Sequence, residues 1–171
     1  MDNLKQYDKA VAKYHKNIKM NALPLVSASF YLDFYENIRN SFDDLLRLNF
    51  ISKTNHWALN DWDFESRINQ EVIIVTDSKL RIVYASRNIT KMNGYNESEI
   101  LGESPKMFHG AATCIKTSNE IRESVRLQQP FEKTVLNYKK NGETYQCLIK
   151  GYPVFNIQGK LSHFIAFEKA A

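Results

Sequence analysis

Apolar residues recur at helical intervals over the first third of the chain. Leu4, Tyr7, Val11, Tyr14 and Ile18 are spaced 3, 4, 3 and 4 apart, so they share one stripe of a helix whose other faces carry Lys and Asp. Pro24 interrupts the pattern. A second helical pattern runs from Ser27 to Phe50, with Phe30, Phe34, Ile38, Phe42, Leu45 and Leu46 on its apolar side and Ser27 and Ser29 as candidate caps. Helices of this length are marginal alone in water, so both must dock on something: the rest of the chain or a second copy of it. Residues 51–69 form a bridge. Within it Asn60-Asp61-Trp62-Asp63-Phe64-Glu65 predicts a turn or one short helix, with Trp57 and Trp62 as packing anchors.

The period then changes. Glu71–Asp77 is short and β-branched, Ser78-Lys79-Leu80 turns, and Arg81–Ser86 forms a second strand of a hairpin. From Asn88 to Gln129 the pattern is helical but broken at Gly94, Gly102, Pro105 and Gly110. That predicts several short helices and one longer one over 113–129, with Thr113 as its N-cap. Three strand-like runs follow: Phe131–Tyr138, Glu143–Phe155 and Leu161–Glu168. Asn141-Gly142 between the first two is a strong hairpin signal. The order of elements predicts an α+β fold: a five-stranded antiparallel sheet with short helices on one face, preceded by an N-terminal helical extension. The division is 1–69 for the extension and 70–171 for the domain.

Composition narrows the chemistry. The 171 residues carry 23 Lys and Arg against 19 Asp and Glu, a net +4, but the basic residues are dispersed, which reads as a solvated surface rather than a nucleic-acid patch. There is no apolar run of membrane-spanning length and no signal-like N-terminus, so a cytoplasmic protein is expected. Cys114 and Cys147 are 33 positions apart, and His15, His56, His109 and His163 are scattered, so neither a disulfide nor a metal site is expected. No Gly-x-Ser-x-Gly, phosphate loop or metal-ligand spacing is present, and no enzyme is expected.

Several segments, in their order, resemble the PAS family, and within it the light-oxygen-voltage (LOV) branch that binds flavin. They are Val75-Thr76-Asp77, Ile82–Ser86, Gly94–Gly102, Leu136–Gly142, Pro153-Val154, and Gly159-Lys160 leading into Phe164-Ile165. The resemblance covers about 100 residues and implies a cofactor or ligand pocket between the short helices and the sheet. In LOV domains a stretch Gly-x-Asn-Cys-Arg-Phe-Leu-Gln-Gly supplies the cysteine that bonds to flavin in light. Its counterpart is Gly102-Glu103-Ser104-Pro105-Lys106-Met107-Phe108-His109-Gly110, with Ser104 at the Asn position, Pro105 at the cysteine position and His109 at the Gln position. Proline has no thiol, so that adduct is not expected.

Other residues inherit pocket roles from the same resemblance. Asn137 matches an Asn that bonds the flavin edge, Cys147 replaces a second such Asn, and Glu168 replaces the Gln on the last strand. The missing Asn would leave buried polar atoms unpaired at about 1–3 kcal/mol each, and a buried Glu168 would need a proton or a partner. These counts weigh against flavin. Haem through His109 is weaker still, because residues 113–129 contain no histidine. Each residue also has a plain reading: Asn137 shaping the hairpin, Cys147 filling the core, Glu168 wet near the end of the sequence.

Alternation along the strands adds one inference. If Asn137, Cys147 and Glu168 face the pocket, then Leu136, Tyr138, Leu148, Ile165 and Phe167 make an apolar back that the N-terminal helices must cover, within one chain or across a dimer. The resemblance therefore implies a sensory or regulatory module in signal transduction. It would bind a small ligand or act through dimerisation, with a homodimer and a signalling protein as partners and neither membrane nor nucleic acid. The alternatives are a ligand-free PAS dimerisation protein and a flavin-binding LOV-like protein without adduct photochemistry.

Overall fold

A computed structural model describes residues 25–171 other than Leu59 and Asp61, with side chains from Tyr31 onward. The stripe from Leu4 to Ile18 lies outside the described residues. Residues 38–171 form one compact unit and those up to Asn37 another. The elements are α1 (Leu25–Thr54), α2 (Phe64–Arg67), β1 (Val72–Asp77), β2 (Ile82–Ala85), α3 (Ile89–Asn93), α4 (Glu97–Ile100), a 3-10 turn (Pro105–Phe108), α5 (Ile115–Arg126), β3 (Phe131–Tyr138), β4 (Thr144–Phe155) and β5 (Leu161–Ala170). The strands form one antiparallel sheet in the order β2-β1-β5-β4-β3. The α+β class and the five-stranded sheet are those the sequence predicts.

Side-chain chemistry closes the turns. The Asp77 carboxylate accepts from the N–H groups of Lys79 and Arg81, letting Leu80 take a positive φ. Asn156 does the same for Gln158 and Lys160 between β4 and β5. At α4 the Glu99 carboxylate accepts from the Asn96 N–H at 2.9 Å, which starts a helix only four residues long.

The sheet separates two apolar cores. On one side Val72, Ile74, Ile82 and Ala85 pack against Ile89, Ile100 and Phe108 of the short helices. On the other, Ile73, Val75, Val154, Ile165 and Phe167 pack against Leu48, Trp57 and Ile68. Because both faces are covered, Val72–Val75 is buried without a break, and the strand reads as an apolar run rather than an alternation.

Three expectations need correction. Helix α1 includes Leu25–Thr54, so Ser27 and Ser29 lie inside it and are not caps. It stops where Asn55 turns its side chain back to the Ile51 carbonyl and His56 takes a positive φ. Second, α5 is capped at Cys114, while Thr113 Oγ1 accepts from the Gly110 N–H and donates to the Leu136 carbonyl, fastening the loop to the edge strand β3.

The third concerns which face of α1 does the covering. Leu48 is fully buried and Leu45 and Ile51 pack beside it, whereas Ile38, Phe42 and Leu46, placed on the apolar side by periodicity, are all more than half exposed. The docked face also carries Asp44, which no hydrophobic pattern selects. Asp44 is 2% exposed and accepts from the Arg87 N–H at 2.8 Å, and the Asp44 carbonyl accepts from the Tyr84 hydroxyl at 3.4 Å. Arg47, one turn on, reaches both Asp44 and Glu97 of α4 and lies over the Tyr84 ring. Burial raises the Asp44 pKa, and the Arg87 N–H and the nearby guanidinium groups only partly offset it.

Asp44→Ala is expected to destabilise the protein by about 1–3 kcal/mol, because it strips the acceptor from a buried N–H. Thermal unfolding checks this, and an unchanged melting temperature would mean that Asp44 does not hold α1 to the sheet.

Candidate functional site

Between the sheet and the segment 104–125 lies a cavity of about 190 Å³. Its walls are apolar: Ile74, Phe108, Val125, Phe131, Ile149 and Phe164. Gly151 keeps the space open beside Phe131, its cross-strand partner, because a Cβ there would collide with the Phe131 ring. The cavity is below the usual ligand-pocket range of about 300–1,000 Å³, so a multi-ring guest requires side chains at its mouth to swing outward.

The floor is polar and buried. Asn137, on β3, is 2% exposed and its Oδ1 has no hydrogen-bond partner; Thr76 Oγ1, on β1, is likewise buried and unpartnered. The Tyr145 hydroxyl, close to the Asn93 and Asn137 side chains, makes no well-formed hydrogen bond, and Asn93 Nδ2 has none either. Unsatisfied buried polar atoms are uncommon in native proteins and mark places where a water or a ligand belongs. Four such atoms occur among the described residues, and Asn137 and Thr76 line this cavity.

Glu168 on β5 is 4% exposed and lines the same space. Cys147 Sγ donates to its Oε2 at 3.6 Å, and among the described residues no ion pair balances it. Burial pushes the Glu168 carboxyl up to about 7, against an ordinary 4.5. The Cys147 thiol is raised by burial and by the neighbouring carboxyl, so it remains a thiol at neutral pH. Glu168 is therefore neither frayed nor wet, since β5 runs on to Ala170 and pairs with β1 and β4.

At the mouth, Lys106 from the 3-10 turn and Arg122 from α5 line the cavity, and neither forms an ion pair among the described residues. Sequence reasoning passed over both; their paired signal emerges only when α5 is laid beside the 3-10 turn. His109 lines the cavity too, with burial lowering its pKa and favouring the neutral ring.

Of the residues named from sequence, Ser104, His109, Asn137 and Glu168 meet at this one cavity. Cys147 shares their side of the sheet but is fully buried behind Glu168 and does not line the space. Pro105 lines it and opens the 3-10 turn, and no cysteine is among the lining residues. Cys114 is exposed. On the opposite face, Ile165 and Phe167 are buried as expected. Tyr138, however, reaches round the edge: its hydroxyl accepts from the Ala112 N–H, and its ring lies so close to Gly110 that a Cβ there would sit 2.5 Å away.

The fold and cavity define an α+β module of five antiparallel strands with a pocket under short helices, and the PAS domain family model matches residues 70–169. The chain belongs to the PAS domain family. Among curated proteins it is 36% identical over 88 residues to Protein TWIN LOV 1 of Arabidopsis thaliana, covering 51% of this chain and 22% of that protein. It is 29% identical over 87 residues to the blue-light-activated histidine kinase of Brucella canis, covering 51% of this chain and 18% of that protein. The chain thus spans about a fifth of the length of these relatives. Among solved structures, a light-oxygen-voltage domain studied with a flavin analogue superposes with a TM-score of 0.60 at 22% identity, covering 65% of this chain and 86% of that one. Among the described residues no helix is long and apolar enough to cross a membrane.

The raised Glu168 pKa carries a stability consequence. Between about pH 4.5 and 7 the folded protein keeps a proton that the unfolded chain has released, so stability falls as pH rises through that window. Glu168→Gln removes this dependence. From pH 4 to pH 8 the variant is expected to gain up to about 3 kcal/mol relative to the wild type, read by denaturant unfolding; a constant difference would mean that Glu168 is not buried in its acid form.

Proposed function

We propose that the chain is a ligand-binding PAS sensor module whose guest is a flavin, held without a covalent bond to cysteine. The observation that carries this reading is that the unpartnered Asn137 Oδ1 and the buried Glu168 carboxyl, whose pKa burial raises, line one floor. A flavin's buried ring edge alternates hydrogen-bond acceptors with an N–H donor. Asn137 offers an acceptor to that N–H and Glu168 a proton to a neighbouring acceptor. The apolar walls suit a flat aromatic ring system, and Lys106 and Arg122 at the mouth suit the phosphate of a mononucleotide. When bound, the flavin would supply light absorption and redox chemistry. The chain's own residues hold the ring edge, exclude water from it and place charge at the tail. Pro105 at the position of the LOV cysteine supports a reading without a thiol adduct.

Output passes through contacts of the module with another protein or a second copy. A second reading, action by self-association, is favoured by one observation: Ile38, Phe42, Leu46 and Phe50 are 52–70% exposed along α1. Phe42→Asp combined with Leu46→Asp is expected to shift a dimer to monomer in sedimentation without lowering the melting temperature. Identical sedimentation of variant and wild type would remove the self-association reading.

Reconstitution with flavin mononucleotide tests the main reading. Purified protein is expected to acquire flavin absorption in the blue and to quench the flavin's fluorescence. Asn137→Ala should weaken affinity by about tenfold or more, the cost of a buried partner lost. Arg122→Gln should weaken the mononucleotide more than riboflavin. Protein that stays colourless after refolding with excess flavin would defeat the proposal.

A further inference from the structure

Glu168 presents a chemical problem that the rest of the cavity does not solve. Its carboxyl is buried on the central strand β5, and one oxygen, Oε2, already takes the Cys147 S–H. The carboxyl lines the cavity beside the unpartnered Asn137 Oδ1, so it can meet whatever the cavity holds. The groups around it do not neutralise a negative charge. From β1 come Ile74 and Thr76, from β3 Asn137, and from β4 the Cys147 thiol and Tyr145 phenol, whose acidities are both weakened by burial and by Glu168. Lys106 and His109 from the 3-10 turn and Arg122 from α5 line the same space, but none forms an ion pair with Glu168.

Resting on the flavin reading, we propose that Glu168 enters the complex as the neutral acid and donates its proton in a hydrogen bond to an acceptor on the buried edge of the ring, so that binding takes up a proton above neutral pH. The site thereby distinguishes two kinds of ligand atom. Asn137 Oδ1 faces a donor, and Glu168 faces a carbonyl oxygen or a ring nitrogen. An ionised Glu168 would set its charge against the lone pairs of that acceptor in a buried space where no cation pairs with it among the described residues. Ligand binding and protonation of Glu168 therefore favour one another. No bond is made or broken beyond the proton taken from solvent, so the step needs no oxidant or reductant. The protein becomes a sensor whose occupancy reports acidity as well as ligand supply.

Riboflavin, which lacks a titrating phosphate, is the probe. Its dissociation constant for the wild type is expected to be flat below about pH 7 and to rise roughly tenfold per pH unit above it. In Glu168→Gln, whose amide keeps a donor at every pH, the constant should vary by no more than about twofold over the same range. The wild type alone provides a second measurement should the variant fail to fold. Calorimetry at pH 8 in two buffers of different ionisation enthalpy should show uptake of about one proton per riboflavin, and close to none at pH 6. Riboflavin binding with a flat wild-type profile and no proton uptake would overturn the coupling and leave the flavin reading standing, as would the same pH slope in the variant. Failure of both proteins to bind riboflavin or the mononucleotide at any pH would overturn the flavin reading and this inference with it.

Discussion

A sheet that is apolar on both faces must be covered twice, and most of this structure follows from that constraint. Strand β1 is buried along both sides and β5, at the centre, pairs with β1 and β4 while packing front and back. Such a sheet cannot exist alone in water, because each open face would leave a large apolar area exposed. The short helices and the 3-10 turn cover one face; α1, Trp57, Trp62 and Phe64 cover the other. The two covers differ in kind. The back is largely aromatic, with Trp62 and Phe64 tilted against Phe167 and Arg67 lying over the same ring. The front is made of short helices, the 3-10 turn and α5, and a cavity of about 190 Å³ remains between them and the sheet.

Burial raises the pKa of Glu168 on the polar floor of that cavity, and the Asn137 and Thr76 side chains there keep unpartnered oxygens. Glu168 as a carboxylate would be one of the most costly groups in the molecule; as an acid it is nearly apolar and accepts a thiol proton. The unpartnered Asn137 and Thr76 oxygens represent stability left unclaimed by the protein alone.

Much of this was legible in the sequence, and the reasons differ by element. The strands and hairpins announced themselves through β-branched runs and turn residues such as Asn141-Gly142, whose roles are local. Asn137, Ser104, His109 and Glu168 were found through resemblance to a family, not through periodicity. Their meeting at one cavity depends on segments 28 to 64 positions apart in the chain. What could not be read was the burial of each. Cys147 lies behind Glu168 because β4 and β5 pair Ile149 with Glu168, setting the thiol on the diagonal, and that register is a tertiary fact. The docked face of α1 was misjudged for a similar reason: the helix is apolar on two sides, and periodicity alone cannot say which side meets the sheet. Asp44 decides it. Only in the folded chain does its carboxylate find the Arg87 N–H that makes burial affordable.

Strand β5 joins the two sides of the sheet through a shared backbone. Ala166 and Glu168 point toward the cavity, while His163, Ile165 and Phe167 point to the back, as a two-residue period requires. At the back, His163 Nδ1 accepts from Trp57 Nε1 at 3.1 Å, and Trp57 immediately follows the turn that ends α1. The same strand that carries the titrating carboxyl therefore also anchors the end of the covering helix. A side chain at 168 cannot shift along the strand without moving Phe167, against which Trp62, Phe64 and Arg67 are stacked. Close packing makes such a displacement costly to absorb locally. One strand thus lines the cavity on one face and carries the packing of α1 and Trp57 on the other.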